Sequence, residues 1–198
     1  TVTGVQTCAL PISSGINLDD DRVLSVNSVT VNEGSPYAVF TVSGAAGQEV
    51  LLSLLDASGT NPALDPSGGL AELGATPALQ YYDGSSWQTY SASNPPVIAA
   101  GGTLLVRIAI DAEQETALDG PETFQLIATN TIGTAASGTG TIRDDGSGNY
   151  WIGDNTTPAT PEELDASGIN LDDDRVLSVN SVTVNEGSPY AVFTVRGG

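Results

Sequence analysis

Carboxylates are the only abundant reactive groups in this chain. Twenty-four Asp and Glu stand against five Arg, with neither Lys nor His, for a formal net charge of −19. Without His or Lys there is no Ser/His/Asp triad, Schiff base, His-ligated zinc or Lys-to-Asn isopeptide crosslink, and the expectation is a protein that is not an enzyme. The acidic residues gather at expected strand ends: Asp19, Asp20 and Asp21, then Glu33, Asp111, Asp119 with Glu122, and Asp144 with Asp145. A hard dication such as Ca²⁺ takes roughly six to eight oxygen ligands, which loops at one pole of a β-sandwich can supply. Glu33, Asp111, Asp119, Glu122, Asp144 and Asp145 are therefore the candidate metal ligands, with calcium as the expected cofactor. A solvated acidic rim is the competing reading. Asp119 and Glu122 flank a Gly-Pro turn, a spacing better suited to holding one ion than to flanking a glycosidic bond.

Tyr81, Tyr82, Trp87 and Tyr90 form the second candidate group, a set of rings able to stack on a glycan, although such rings more often make cross-strand and core pairs. The negative charge repels nucleic acid and anionic membranes. No run reaches the ~20 apolar residues of a membrane helix, and Val97 to Ile110 is broken by Gly101, Gly102 and Arg107. Neither nucleic-acid binding nor membrane insertion is expected. The single cysteine, Cys8, fits an exported protein that does without disulfides.

The elements that must position these residues are short strands. Leu24 to Val31 alternates, with a phase slip at Asn27-Ser28 that predicts a bulge or a change of sheet. Tyr37 to Val42 and Val50 to Leu55 follow the turn-forming Asn32 to Pro36. Leu79 to Tyr82 and Trp87 to Tyr90 flank Asp83-Gly84-Ser85-Ser86, a hairpin signal. Leu104 to Ile110, Glu122 to Thr129 and Gly140 to Arg143 bring the set to about eight, the pattern of an all-β Greek-key sandwich of immunoglobulin-like type. One helical turn is expected at Pro161 to Leu164, with Thr160 as N-cap, inside a connector rich in Gly, Asn, Thr and Pro.

Ser14 to Val42 recurs unchanged as Ser167 to Val195, an offset of 153 residues. Residues 14–146 then read as one complete repeat, 147–171 as a connector and 172–198 as the start of a second repeat within a longer tandem array. Residues 1–13 are set aside, because Val2 to Ile12 reads like a translated sequencing adapter. Asp172, Asp173 and Asp174 precede the second copy as Asp19, Asp20 and Asp21 precede the first, so a junction ion between repeats is a further candidate. Either copy could fill the same place in the sheet. The N-terminal copy is expected there, with the C-terminal copy loose or edge-paired and strand exchange between copies possible.

Three stretches carry a family resemblance: VTVNEGSPYAVFTVSG (29 to 44), IDAEQETALDGPETFQL (110 to 126) and GTGTIRDDG (138 to 146). Together they resemble the Calx-β domain, a calcium-binding sandwich found in exchanger regulatory segments, integrin β4 and repeats of giant bacterial adhesins. The resemblance spans about Leu24 to Gly146. It implies calcium ligation by Glu33, by Asp119 and Glu122 before Phe124, and by Asp144 and Asp145, with Asp111 a looser match. The family's central GTA…DY stretch is replaced here by residues 65–83 and the Trp87 hairpin. The connector NYWIGDNTTPATPEELDASGINLDDDR resembles repeat junctions of adhesins exported by type I secretion. The resulting expectation is a calcium-stabilised spacer repeat in the stalk of an extracellular bacterial surface adhesin, partnered by neighbouring repeats and calcium, with a glycan-binding adhesive module on residues 79–90 as the alternative.

Overall fold

The computed structural model describes residues 22–56, 73, 77–110, 120–160, 164, 168 and 177–196. Asp19, Asp20, Asp21, Asp111, Asp119, Asp172, Asp173 and Asp174 lie outside the described residues.

The phase slip in LSVNSVTV is where the chain changes sheets. β1 (Ser25–Val26) pairs antiparallel with β3 (Tyr37–Ser43), whereas β2 (Val29–Asn32), three residues on, pairs parallel with β9 (Ala135–Arg143). The switch is held by its own polar residues. Asn27 N–H donates to the Thr41 carbonyl at 3.2 Å, its Oδ1 accepts the Thr41 N–H at 2.6 Å, and Ser28 Oγ accepts the Thr139 N–H at 3.1 Å. Backbone groups that would lose their partners where a strand departs are thus satisfied by side chains.

The remaining strands are β4 (Leu51–Asp56), β5 (Leu79–Tyr82), β6 (Trp87–Thr89), β7 (Thr103–Ala109) and β8 (Glu122–Thr129). One sheet has the order β1-β3-β7-β5-β6 and the other β2-β9-β8-β4. The chain is all-β, and the two sheets form a sandwich of immunoglobulin-like kind. Alternation sets the inner faces. Ala38, Phe40 and Val42 of β3 pair with Ile108, Val106 and Leu104 of β7, and all are buried against Phe124, Leu126 and Ala128 of β8. Phe40 meets Phe124 edge to face, with ring centroids 5.7 Å apart and planes at 72°, a favoured quadrupolar geometry.

The aromatic hairpin forms as its turn residues predict. Gly84 takes φ +99°, and the Asp83 carboxylate accepts the Ser85 and Ser86 N–H groups at 2.8 and 2.9 Å. β9 starts at Ala135, earlier than the expected Gly140, because its full length is zipped to β8 from Ala135↔Thr129 to Ile142↔Glu122. The first half, AASGT, carries too few large apolar residues to announce a strand. Its glycines have a packing role: a Cβ on Gly140 would strike the Phe124 ring, and one on Gly138 the Asn27 carbonyl.

Phe40 abuts the Phe124 ring edge to face and limits its retreat from an added methyl group. Gly140→Ala should therefore cost about 1–3 kcal/mol, the usual range for an overpacked core, measured as a lower urea midpoint with an unchanged slope.

Candidate functional site

Three groups compete for a functional role: the acidic pole, the aromatic hairpin and the second copy of the repeated segment. The alternation that buries Phe124 and Leu126 also turns Glu122 inward, and Asp144, just past the end of β9, keeps the buried phase of Ile142. Glu33 N–H donates to the Arg143 carbonyl at 3.0 Å, and Glu122 faces Ile142 across the ladder. The fold therefore gathers Glu33, Glu122 and Asp144 at one end of the β2-β9-β8-β4 sheet, all three buried. Asp145, one residue on, faces Arg143 at 3.1 Å and accepts from Ser147, bonds that hold its carboxyl below the usual aspartate range, with the Ser147 hydroxyl the largest contributor. Among the described residues, no three Asp, Glu or Cys side chains are placed to hold one metal ion.

The aromatic residues are committed to the fold. Tyr90 Oη accepts the Leu52 N–H at 3.0 Å, linking the two sheets, and Tyr82 lies tilted on Trp87 at 5.4 Å. Trp87 Nε1 donates to the Asp154 carbonyl at 3.1 Å. Arg107 is buried, with its guanidinium 3.9 Å from the Tyr37 ring centroid and 4.4 Å from that of Trp87. From there it donates to Gln80 Oε1 at 2.7 Å, the Gly153 carbonyl at 3.1 Å and Asp154 at 3.2 Å.

Gly153 and Asp154 belong to the segment the sequence assigns to a connector. In the structure, residues 149–159 form a strap over the outer face of the five-stranded sheet. Asn149 bridges Thr30 and Asn32 through 3.0 Å backbone bonds, and Trp151 is buried with its N–H donated to Ser35 Oγ at 3.1 Å. Sequence reasoning passed over Arg107 and Trp151. The available signal was Arg107 in phase with Leu105 on the outer face of β7, a charge at a position that some other element had to cover. Between strap and sheet lies a cavity of about 600 Å³ bordered by Asn27, Val39, Thr41, Leu105, Trp151 and Pro158, among others.

The second copy repeats the local structure of the first without its surroundings. β10 (Ser178–Val179) pairs with β11 (Val195–Arg196) in the register of β1 with β3. Asn180 holds Thr194 as Asn27 holds Thr41, and Asn185, Gly187 and Ser188 reproduce the turn at Asn32, Gly34 and Ser35. What differs is burial. Phe40 is 0% exposed and Phe193 57%, Val42 0% and Val195 60%, Leu24 3% and Leu177 66%.

No family model matches the chain, and no curated protein matches it. Similar solved structures include the periplasmic chaperone SfaE (TM-score 0.35, 10% identity, 61% of this chain and 57% of that chain). Another is the CupB2 chaperone of Pseudomonas aeruginosa (TM-score 0.34, 14% identity, 61% and 55%). The chain spans a little over half the length of each. The family expectation is corrected accordingly: no family model and no curated protein places the chain among Calx-β repeats, and the calcium-stabilised adhesin spacer, which rested on that assignment, is withdrawn with it. The glycan-binding alternative falls too, because the hydroxyl of Tyr90 and the ring of Trp87 are engaged by Leu52, Asp154 and Arg107.

Two measurements test this site. Asp154 is 87% exposed, so its ion pair contributes little, and Asp154→Asn should change stability by under about 1 kcal/mol. Arg107→Ala removes both ring contacts and the bond to the Gly153 carbonyl, and should cost roughly 2–3 kcal/mol. Amide exchange at Trp151 should rise sharply in the second variant and hardly in the first. Separately, bonds from Ser86 and Ser85 pull the Asp83 carboxyl from the ordinary 3.8 to about 2. A pKa lowered by folding means the turn's contribution is complete above the unfolded value and is lost as pH falls through the folded one. Protection of the Ser85 and Ser86 amides should therefore hold at pH 4 and fall to about half near pH 2, followed by NMR.

Proposed function

We propose that the chain is a non-catalytic assembly module, located outside the cytoplasm, that joins other chains of its own kind by strand pairing. The absence of His and Lys supports the non-catalytic part. With Cys8 set aside along with residues 1–13, the rest of the chain has no cysteine, which suits an exported chain that does without disulfides.

One observation carries the reading. Leu177, Val179, Phe193 and Val195 stand exposed on the second hairpin, whereas in the first copy Leu24, Phe40 and Val42 lie in the core and Val26 packs half-buried against it. The β10-β11 pairing and the Asn185 turn are already in place, so part of the ordering cost of docking is met in advance. Each of these side chains contributes roughly 1.5–3 kcal/mol when covered. Four of them match the lower part of the roughly 4–15 kcal/mol that association costs. The face thus supports reversible, concentration-dependent association. The net charge of −19 opposes close approach of two copies, so salt should strengthen it.

Light scattering after size-exclusion chromatography tests the proposal. The mean mass should rise with concentration from tens of micromolar toward millimolar, and further at about 0.5 M salt. Phe193→Asp should abolish the rise and leave the melting temperature of the sandwich unchanged. A mass that stays monomeric throughout, or a rise indifferent to Phe193→Asp, rejects the proposal.

A further inference from the structure

The hairpin offers its partner a specific shape, and the first copy shows what fits it. Ala38, Phe40 and Val42 lie against Ile108, Val106 and Leu104, with the Phe40 ring edge-on to Phe124. Residues 177–195 are identical to 24–42 and already hold the same pairing and the same turn. We infer that the seat of the second hairpin is the place of the first, in the sandwich of a second copy of this chain. This assignment rests on the assembly reading above and adds the site and register to it.

The register follows residue by residue. Phe193 takes the position of Phe40 beside Phe124, Thr194 stands opposite Leu105 as Thr41 does, and Tyr190 lies over Arg107 as Tyr37 does at 3.9 Å. The strap completes the seat. Ser35 Oγ accepts the Trp151 N–H while donating to the Tyr37 carbonyl, and Ser188 Oγ already donates to the Tyr190 carbonyl at 2.9 Å, leaving it oriented for the same Trp151. Because identical side chains arrive at positions 24–42 and only Ser43, half-buried at the end of β3, is replaced, by Arg196, the exchange is close to isoenergetic in its core contacts. Its extent is set by how firmly the resident copy holds its place.

Full-length chains with two substitution sets test the seat, each carrying Cys8→Ser. The receiver bears Phe40→Asp, Phe193→Asp and Leu105→Cys, which disables both of its own hairpins. The donor bears Thr194→Cys. Thr41 and Leu105 form a non-hydrogen-bonded antiparallel pair, the spacing at which a disulfide closes. Alone, the receiver should lack a cooperative melting transition. Mixed with donor in a glutathione buffer, it should regain one and form the mixed disulfide at least tenfold above that with a donor that also carries Phe193→Asp. A receiver that folds alone, that stays unfolded with donor, or that crosslinks equally to both donors overturns the inference. If association of the parent chain still depends on Phe193 in that case, the seat is wrong and the assembly reading stands.

Discussion

Everything in this sandwich is arranged around the contact between Phe40 and Phe124. Phe40 comes from the five-stranded sheet and Phe124 from the four-stranded one, and their edge-to-face packing ties the two layers at the centre of the core. That contact imposes conditions on the strands beside it. Gly140 must lack a side chain because the Phe124 ring occupies the space. Gly138, one step along the same face, must be bare because the chain crosses between sheets there and brings the Asn27 carbonyl against it. A low-complexity stretch, SGTG, thus becomes a strand because its partner strand carries the bulk.

A second layer of organisation is polar and lies outside the core. Arg107 is a buried cation in a chain with very few, placed on the outer face of β7 where two rings and three oxygen acceptors receive it. It acts less as half of an ion pair than as a rivet between sheet and strap, because its carboxylate partner is largely solvated. The strap in turn reaches Ser35 and Asn32, at the turn into β3. The segment following the last strand of the sheet therefore secures the hairpin that opens the domain.

Much of this was legible from residue order. Alternation placed the strands, and the broken phase at Asn27-Ser28 marked the change of sheet, because a pleated strand cannot reverse its inner and outer faces without leaving its neighbours. The Asp83-Gly84 turn was likewise readable. The acidic residues were harder. Their charge pointed to loops and a cation, yet Glu122 shares the phase of Phe124, Leu126 and Ala128, and it is inward-facing. The aromatic residues were ambiguous for a related reason: stacking rings look alike in sequence whether they face solvent or, as Trp87 does, an arginine reaching across from β7. The strap left almost no trace, since Asn, Thr, Gly and Pro describe an irregular backbone equally well when it is free and when it is tied down by hydrogen bonds.

The duplication has one more consequence, in the realm of folding routes. Residues 44–196 contain the equivalent of every strand of the sandwich, in an order that begins with β4 and finishes with the second hairpin. One polypeptide therefore encodes the domain and its own circular permutant, which compete for the same strands. The two closures differ in the loops they must form: the first hairpin reaches β7 forward along the chain, the second reaches it backward across the strap segment. In the structure the first closure is the one made, with Phe40 buried and Phe193 exposed; since residues 24–42 and 177–195 are identical, the loop that each hairpin must close is what distinguishes the two routes.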